Sequence, residues 1–135
     1  MGPAAADTIF QFFSDTKTTP SDYDMIFTGD LGFEGSRLLY ELLEEKGIKI
    51  EKIHSDCGMM IFDMEEKDIN CGASGCGCSA SVLCSYILKS LEKGKFKNIL
   101  FMPTGAMMSP TSIQQGSSIP AVAHLLNIVL DDGNK

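Results

Sequence analysis

The chain has 135 residues, 44% hydrophobic and 21% charged, which suits one packed globular domain. A net charge of −7, with Arg37 as the lone arginine, argues against a nucleic-acid surface and removes the usual bidentate clamp for carboxylates or phosphates. The sequence has no apolar run long enough to span a membrane, and its start, Met1-Gly2-Pro3-Ala4-Ala5-Ala6-Asp7, lacks the basic and apolar regions of a signal peptide, so the chain reads as soluble and cytosolic.

Pro3 and the alanines after it suit a helix start, and Ile9, Phe12 and Phe13 carry an apolar stripe to about Ser14. Residues 18–22 form a turn. Met25-Ile26-Phe27 is a short buried strand that Gly29 ends. Gly32 to Gly35 opens a second helix, with Leu38, Leu39, Leu42 and Leu43 on one face and Glu41, Glu44, Glu45 and Lys46 on the other. Gly47 stops it in the C-cap role. Residues 48–53 make a short β-like approach, Asp56-Cys57-Gly58 bends the chain, and residues 59–62 read as a brief strand. Residues 63–70 are an acidic surface loop.

Cys71-Gly72-Ala73-Ser74-Gly75-Cys76-Gly77-Cys78-Ser79-Ala80 then forms a glycine bend that opens a third helix, residues 78–93. Such a bend lets backbone approach something closely, and the helix start offers free N–H groups that attract anions. Asn98 to Met102 is a strand, 103–118 a long loop rich in Gly, Ser, Thr and Gln, and 121–130 a last strand with few charges, expected to be buried on both faces. The tail 131–135 is polar and expected to fray. Strand–helix–strand units indicate a parallel or mixed sheet flanked by helices. Only about three strands are secure, which would leave a sheet edge open and points to completion by another segment or subunit.

The five cysteines, Cys57, Cys71, Cys76, Cys78 and Cys84, are odd in number and argue against a disulfide framework. Their C-x4-C and C-x-C spacings, with His54 and His124 standing alone, fit small thiols packed at a tight turn better than a zinc site.

Four stretches in order resemble the stage V sporulation protein AD family: Tyr23 to Gly32, Asp56 to Asp63, Ser74 to Ala80, and Thr104 to Gly116, with Ser118-Ile119-Pro120 and Ala123-His124 completing the pattern. The resemblance implies a thiolase-like α/β fold of two similar halves. Residues 1–135 look like the C-terminal half, without the N-terminal one. It also implies a peripheral protein at the cytoplasmic face of the spore inner membrane, part of the machinery that moves dipicolinic acid, as its calcium chelate, into the endospore. The partners so implied are dipicolinic acid with or without calcium, membrane subunits of the same complex, and further copies of the chain; no nucleic acid and no cofactor is expected.

Condensing enzymes of that fold keep a His after the first strand of this half and an Asn in the glycine bend, and this chain has Gly29 and Cys76 there. Glycine has no side chain and a thiol is a weak donor, so the resemblance implies binding without catalysis. The candidate ligand-binding residues are Gly29, Asp30, Cys57, Ser74, Gly75, Cys76, Gly77, Thr104, Gly105, Ser109 and Thr111. Cys76 reads equally as a pocket residue or as a small residue at a crowded turn. Asp30 alone is far short of calcium's six to eight oxygens and reads first as a turn or cap residue. His124 reads as a core or interface histidine. Met59-Met60 and Met107-Met108 read as core filler, or as an apolar slot or subunit contact. The competing functions are a degenerate condensing acyltransferase and a scaffold subunit of a spore membrane complex.

Overall fold

A computed structural model describes residues 1–66 and 68–131. Most of the expected frayed tail, 132–135, lies outside the described residues, as does Lys67 within the acidic loop. Helix α1 (Gly2–Thr16) begins on Pro3 and ends where Lys17 turns left-handed. Ala5, Ile9 and Phe13 form its buried face. A 3-10 turn at Pro20–Asp22 leads into β1 (Met25–Thr28). Helix α2 (Gly32–Glu44) buries Leu39 and Leu43 completely. Gly47, at φ 76°, closes it: Gly47 N–H donates to the Glu44 carbonyl and Ile48 N–H to the Leu43 carbonyl, both at 2.9 Å.

Strand β2 (His54–Asp56) and helix α3 (Cys57–Ile61) follow. Three consecutive helical segments, Cys78–Val82, the π-turn Leu83–Ile87 and Leu88–Glu92, make up α4. The chain continues through β3 (Asn98–Met102), β4 (Thr104–Ala106), α5 (Pro110–Gln114), β5 (Ala121–Ala123) and β6 (Leu126–Val129). The main sheet has the order β2-β1-β3-β6, with β1 parallel to both β2 and β3 and β6 antiparallel to β3. β4 and β5 form a separate antiparallel hairpin.

Alternation along the central strands separates two cores. Ile26, Leu100 and Met102 face α1 and α2, where Ile9, Leu39 and Leu43 complete one cluster. Phe27, Ile99 and Phe101 face α4 and pack on Val82, Ile87 and Leu91. Phe96 meets Phe27 edge-on at 5.8 Å. The result is a mixed sheet between helical layers, as the strand–helix pattern leads one to expect.

Three elements differ from the sequence reading. Residues 48–53 are loop and turn: Ile50 is buried among the α1 and α2 side chains, and the strand begins only at His54. Residues 59–62 are no strand, because the Asp56 carboxylate caps the backbone N–H groups of Gly58 and Met59 and starts α3. The last apolar stretch is two strands, neither buried on both faces: β5 belongs to the hairpin and β6 to the sheet edge, so Val122, Leu126 and Val129 are more than half exposed. The loop 103–118 also has structure of its own, since β4 pairs with β5 and Ser109 caps α5 ahead of Pro110.

Candidate functional site

The polar side chains of the fold gather where β1, β2 and β3 end. Asp56, the last residue of β2, is 2% exposed. Its carboxylate accepts the Thr28 hydroxyl at 2.6 Å, Leu31 N–H at 2.9 Å, Gly32 N–H at 3.0 Å, Gly58 N–H at 3.0 Å and Met59 N–H at 3.3 Å. One carboxylate therefore caps the starts of α2 and α3 together and fixes the 28–32 loop. Phe33 N–H is taken by the Cys71 carbonyl at 2.6 Å. Gly32 sits at φ 67°, and a Cβ there would lie 2.6 Å from that carbonyl. The start of α2 is thus filled by the protein's own acceptors. α4 opens at Gly77 without a side-chain cap.

His54 lies beneath this loop. Its Nε2 is 2.9 Å from the Thr28 hydroxyl and its Nδ1 2.7 Å from the Tyr40 hydroxyl. The Thr28 proton goes to Asp56, so Nε2 carries the ring hydrogen and Nδ1 accepts from Tyr40. Burial lowers the His54 pKa from 6.5 to about 4, which keeps the ring neutral. Burial, and behind it the Glu51 and Asp56 charges, raises the Tyr40 pKa and keeps its phenol a donor.

Beside this network, the Thr104 hydroxyl donates to Asp30 Oδ1 at 2.7 Å, and Asp30 N–H reaches Thr104 Oγ1 at 3.2 Å. Gly29 is wedged against the same residue: a Cβ at position 29 would lie 2.7 Å from Thr104 N and 2.8 Å from its Oγ1. The Cys78 thiol points at the Gly29 carbonyl, 3.6 Å away. Replacing Gly29 by alanine is expected to cost about 2 kcal/mol, because the struck atom is backbone and cannot swing aside. A urea melt of Gly29→Ala within 0.5 kcal/mol of wild type, on the scale of a neutral surface change, would contradict this.

Of the candidate ligand residues, Gly29, Asp30 and Thr104 come together, although Asp30 and Thr104 are 74 positions apart. Cys57 is fully buried under α4, and burial first, the Asp56 charge second, push its thiol pKa up to about 12. Ser74, Gly75, Cys76 and Gly77 lie exposed on the bend, with open space where a side chain would stand at Gly75 and Gly77. The close backbone approach is made elsewhere in the bend, where Ala73 blocks Gly58 at 2.7 Å. Gly105 pairs with Val122 in the hairpin. Ser109 serves as the cap of α5, accepting Ser112 N–H, and Thr111 is exposed on that helix. His124, expected in a core or interface, is exposed on the surface of this chain.

Cavities flank the site. A slot of about 260 Å3 is lined by Phe33, Ser36, Arg37, Tyr40 and Met59, and one of about 470 Å3 by Gly105, Ala106, Met107, Pro120 and Val122. A larger hollow of about 590 Å3, which includes Phe13, Thr19 and Lys49, lies at the opposite end of the sheet. Sequence reasoning missed the Asp56–Thr28–His54–Tyr40 network. An Asp directly before a short helix is a cap signal, and reading residues 59–62 as a strand hid it.

Helices on both faces of a mostly parallel sheet, with polar loops meeting at the carboxyl ends of its strands, define an α/β protein. Residues 1–129 match the profile of Stage V sporulation protein AD (SpoVAD). The chain is also 46% identical over 124 residues to the Stage V sporulation protein AD of Bacillus subtilis (strain 168). That match covers 92% of this chain and 36% of the relative, so the chain spans about a third of the relative's length. The chain belongs to the stage V sporulation protein AD family. Among the described residues no helix is long and apolar enough to cross a membrane.

Proposed function

We propose that this chain is part of a non-catalytic dipicolinate-binding component of the spore uptake machinery, held peripherally by membrane subunits, and that Gly29, Asp30 and Thr104 form the floor of its ligand site. The observation that carries the non-catalytic reading is the contact at Gly29. Where the resemblance to condensing enzymes calls for an imidazole, Thr104 backbone and hydroxyl already fill the space of a Cβ. Cys76, at the carboxamide position, stands exposed on the bend.

Charge decides the form of the ligand. A free dicarboxylate would meet the Asp30 carboxylate, a like-charge contact that opposes binding. The calcium chelate is neutral and leaves metal positions that an oxygen such as Asp30's can enter. In this reading calcium arrives with the ligand, as its chelate. The uncapped start of α4 adds partial positive charge for a carboxylate, about 0.3–1 kcal/mol. Micromolar binding needs about 8 kcal/mol, and ring stacking, metal coordination and the other polar groups of the full-length protein supply the balance.

Calorimetric titration with calcium dipicolinate, dipicolinate alone and calcium alone tests this. The chelate is expected to bind at least tenfold more tightly than the free acid (about 1.4 kcal/mol), with calcium alone silent. Asp30→Asn is expected to remove that preference. No heat and no shift in melting temperature with the chelate would sink the binding reading and leave a scaffold. Turnover of acyl-CoA would overturn the non-catalytic one.

A further inference from the structure

Phe33, Ser36, Arg37 and Tyr40 stand at positions i, i+3, i+4 and i+7 of α2, which puts them on one face of that helix. With Met59 of α3 they line the slot of about 260 Å3. Two aromatic rings and a thioether are soft walls that suit a flat apolar body. Ser36 is the buried member of the set, 3% exposed. Among the described residues its hydroxyl has one hydrogen bond, to the Met59 thioether at 3.8 Å. A thioether is a weak acceptor, so a buried O–H is left short of a proper partner. Tyr40 commits its own proton to His54 Nδ1 at 2.7 Å. At the rim, the Arg37 guanidinium bonds Glu34 at 2.9 Å and lies 3.7 Å from Glu41. One cation against two carboxylates leaves the rim negative.

We propose that this slot is a second binding site, distinct from the floor formed by Gly29, Asp30 and Thr104, for a small uncharged aromatic molecule carrying one hydrogen-bond acceptor. Size, polarity and charge each select that class. A dry cavity of about 150 Å3 takes benzene. The slot, at about 260 Å3, leaves room for such a ring and one substituent. A carbonyl oxygen or a ring nitrogen takes the Ser36 proton and completes the buried hydroxyl. An anion is opposed by Glu34 and Glu41, and a cation by Arg37 in the lining itself. That sets the ligand apart from a dicarboxylate. A polypeptide segment would bring several backbone N–H and C=O groups, each needing a partner, whereas the slot answers one acceptor.

NMR of the 135-residue chain with isotope-labelled methionine methyls, Met59 being assigned through Met59→Leu, reads the slot directly. Titration with benzamide is expected to shift the Met59 methyl with a dissociation constant of about 1 mM. Benzoate, the same ring with a negative charge, should bind about fivefold more weakly. Ser36→Ala removes the donor, and Phe33→Ala, at a half-exposed position, removes a wall; each is expected to weaken benzamide about fivefold. Leu38→Ala, exposed on α2 and outside the slot, should change nothing. The shift on the unaltered chain is a readout independent of whether the variants fold. No Met59 shift up to about 10 mM benzamide, benzoate bound as tightly as benzamide, or binding that ignores Ser36→Ala would each overturn the proposal. So would a shift that is lost once the rest of the Bacillus subtilis relative is joined to this chain, since the slot would then hold a side chain of that polypeptide.

Discussion

Replacing Asp56 by alanine is expected to destabilise the fold by about 4 kcal/mol and to lower the melting temperature by roughly 15 °C. The carboxylate is 2% exposed and serves four backbone N–H groups and the Thr28 hydroxyl at once. Its removal leaves the first turns of α2 and α3 without an acceptor in a space too closed for water to replace both oxygens freely. Each orphaned buried donor costs about 1–3 kcal/mol, and partial relaxation brings the total below their sum. Asp56→Asn keeps one oxygen but turns an NH2 toward donors, so its cost should fall between wild type and alanine, at about 2–3 kcal/mol. Urea unfolding of the three proteins measures the order directly. An alanine variant within 1 kcal/mol of wild type would show that the loops find other partners and that Asp56 does not organise them.

The core elements were legible because their apolar residues recur at the right period. Leu39 and Leu43 on α2, with Gly47 behind them, and the short apolar runs of β1 and β3 fall where spacing puts them. β2 was not legible at its true position, since His54-Ser55-Asp56 carries no apolar residue and pairs only through β1. An apolar run as short as residues 59–62 suits strand or helix alike, and a capping side chain decided it. The break between β5 and β6 at His124-Leu125 leaves no glycine or proline to announce it.

The candidate site was half visible for the same reason. Gly29, Asp30 and Thr104 lie in loops that stand out by composition, and the fold joins them. Thr28, Tyr40, His54 and Asp56 come from three elements and form a network only after the sheet has paired β1 with β2. No spacing within the sequence encodes that meeting. The glycine bend was legible as a bend, and its purpose was not. It presses Cys71 and Ala73 against Gly32 and Gly58, closing the loops that Asp56 holds.

Stability is expected to fall as pH drops from 6.5 to about 4, with His54 as the main cause. Above 6.5 the imidazole is neutral in both folded and unfolded chains and contributes no slope. Between 6.5 and about 4 the unfolded chain binds a proton that the folded one refuses, so unfolding gains on acidification. Below about 4 both states are protonated and this slope ends. The whole span is worth about 3 kcal/mol at 1.36 kcal/mol per pH unit. The structure gives the reason for the refusal. Nε2–H already donates to Thr28, and a second proton would put Nδ1–H against the Tyr40 O–H that donates to it, at a ring with little access to water. The paired acidic groups act in a lower window: Asp24, whose carboxyl is held below 3.8 by the Asn98 and Lys97 N–H groups, loses its contribution only beneath that value. Urea melts of wild type and His54→Gln at intervals from pH 7.5 to 4 separate the two windows. The variant starts less stable at neutral pH, having lost a fitted ring, but its stability should change less over this range. Parallel curves for the two proteins would remove His54 as the titrating group and place the acid sensitivity with the carboxylates.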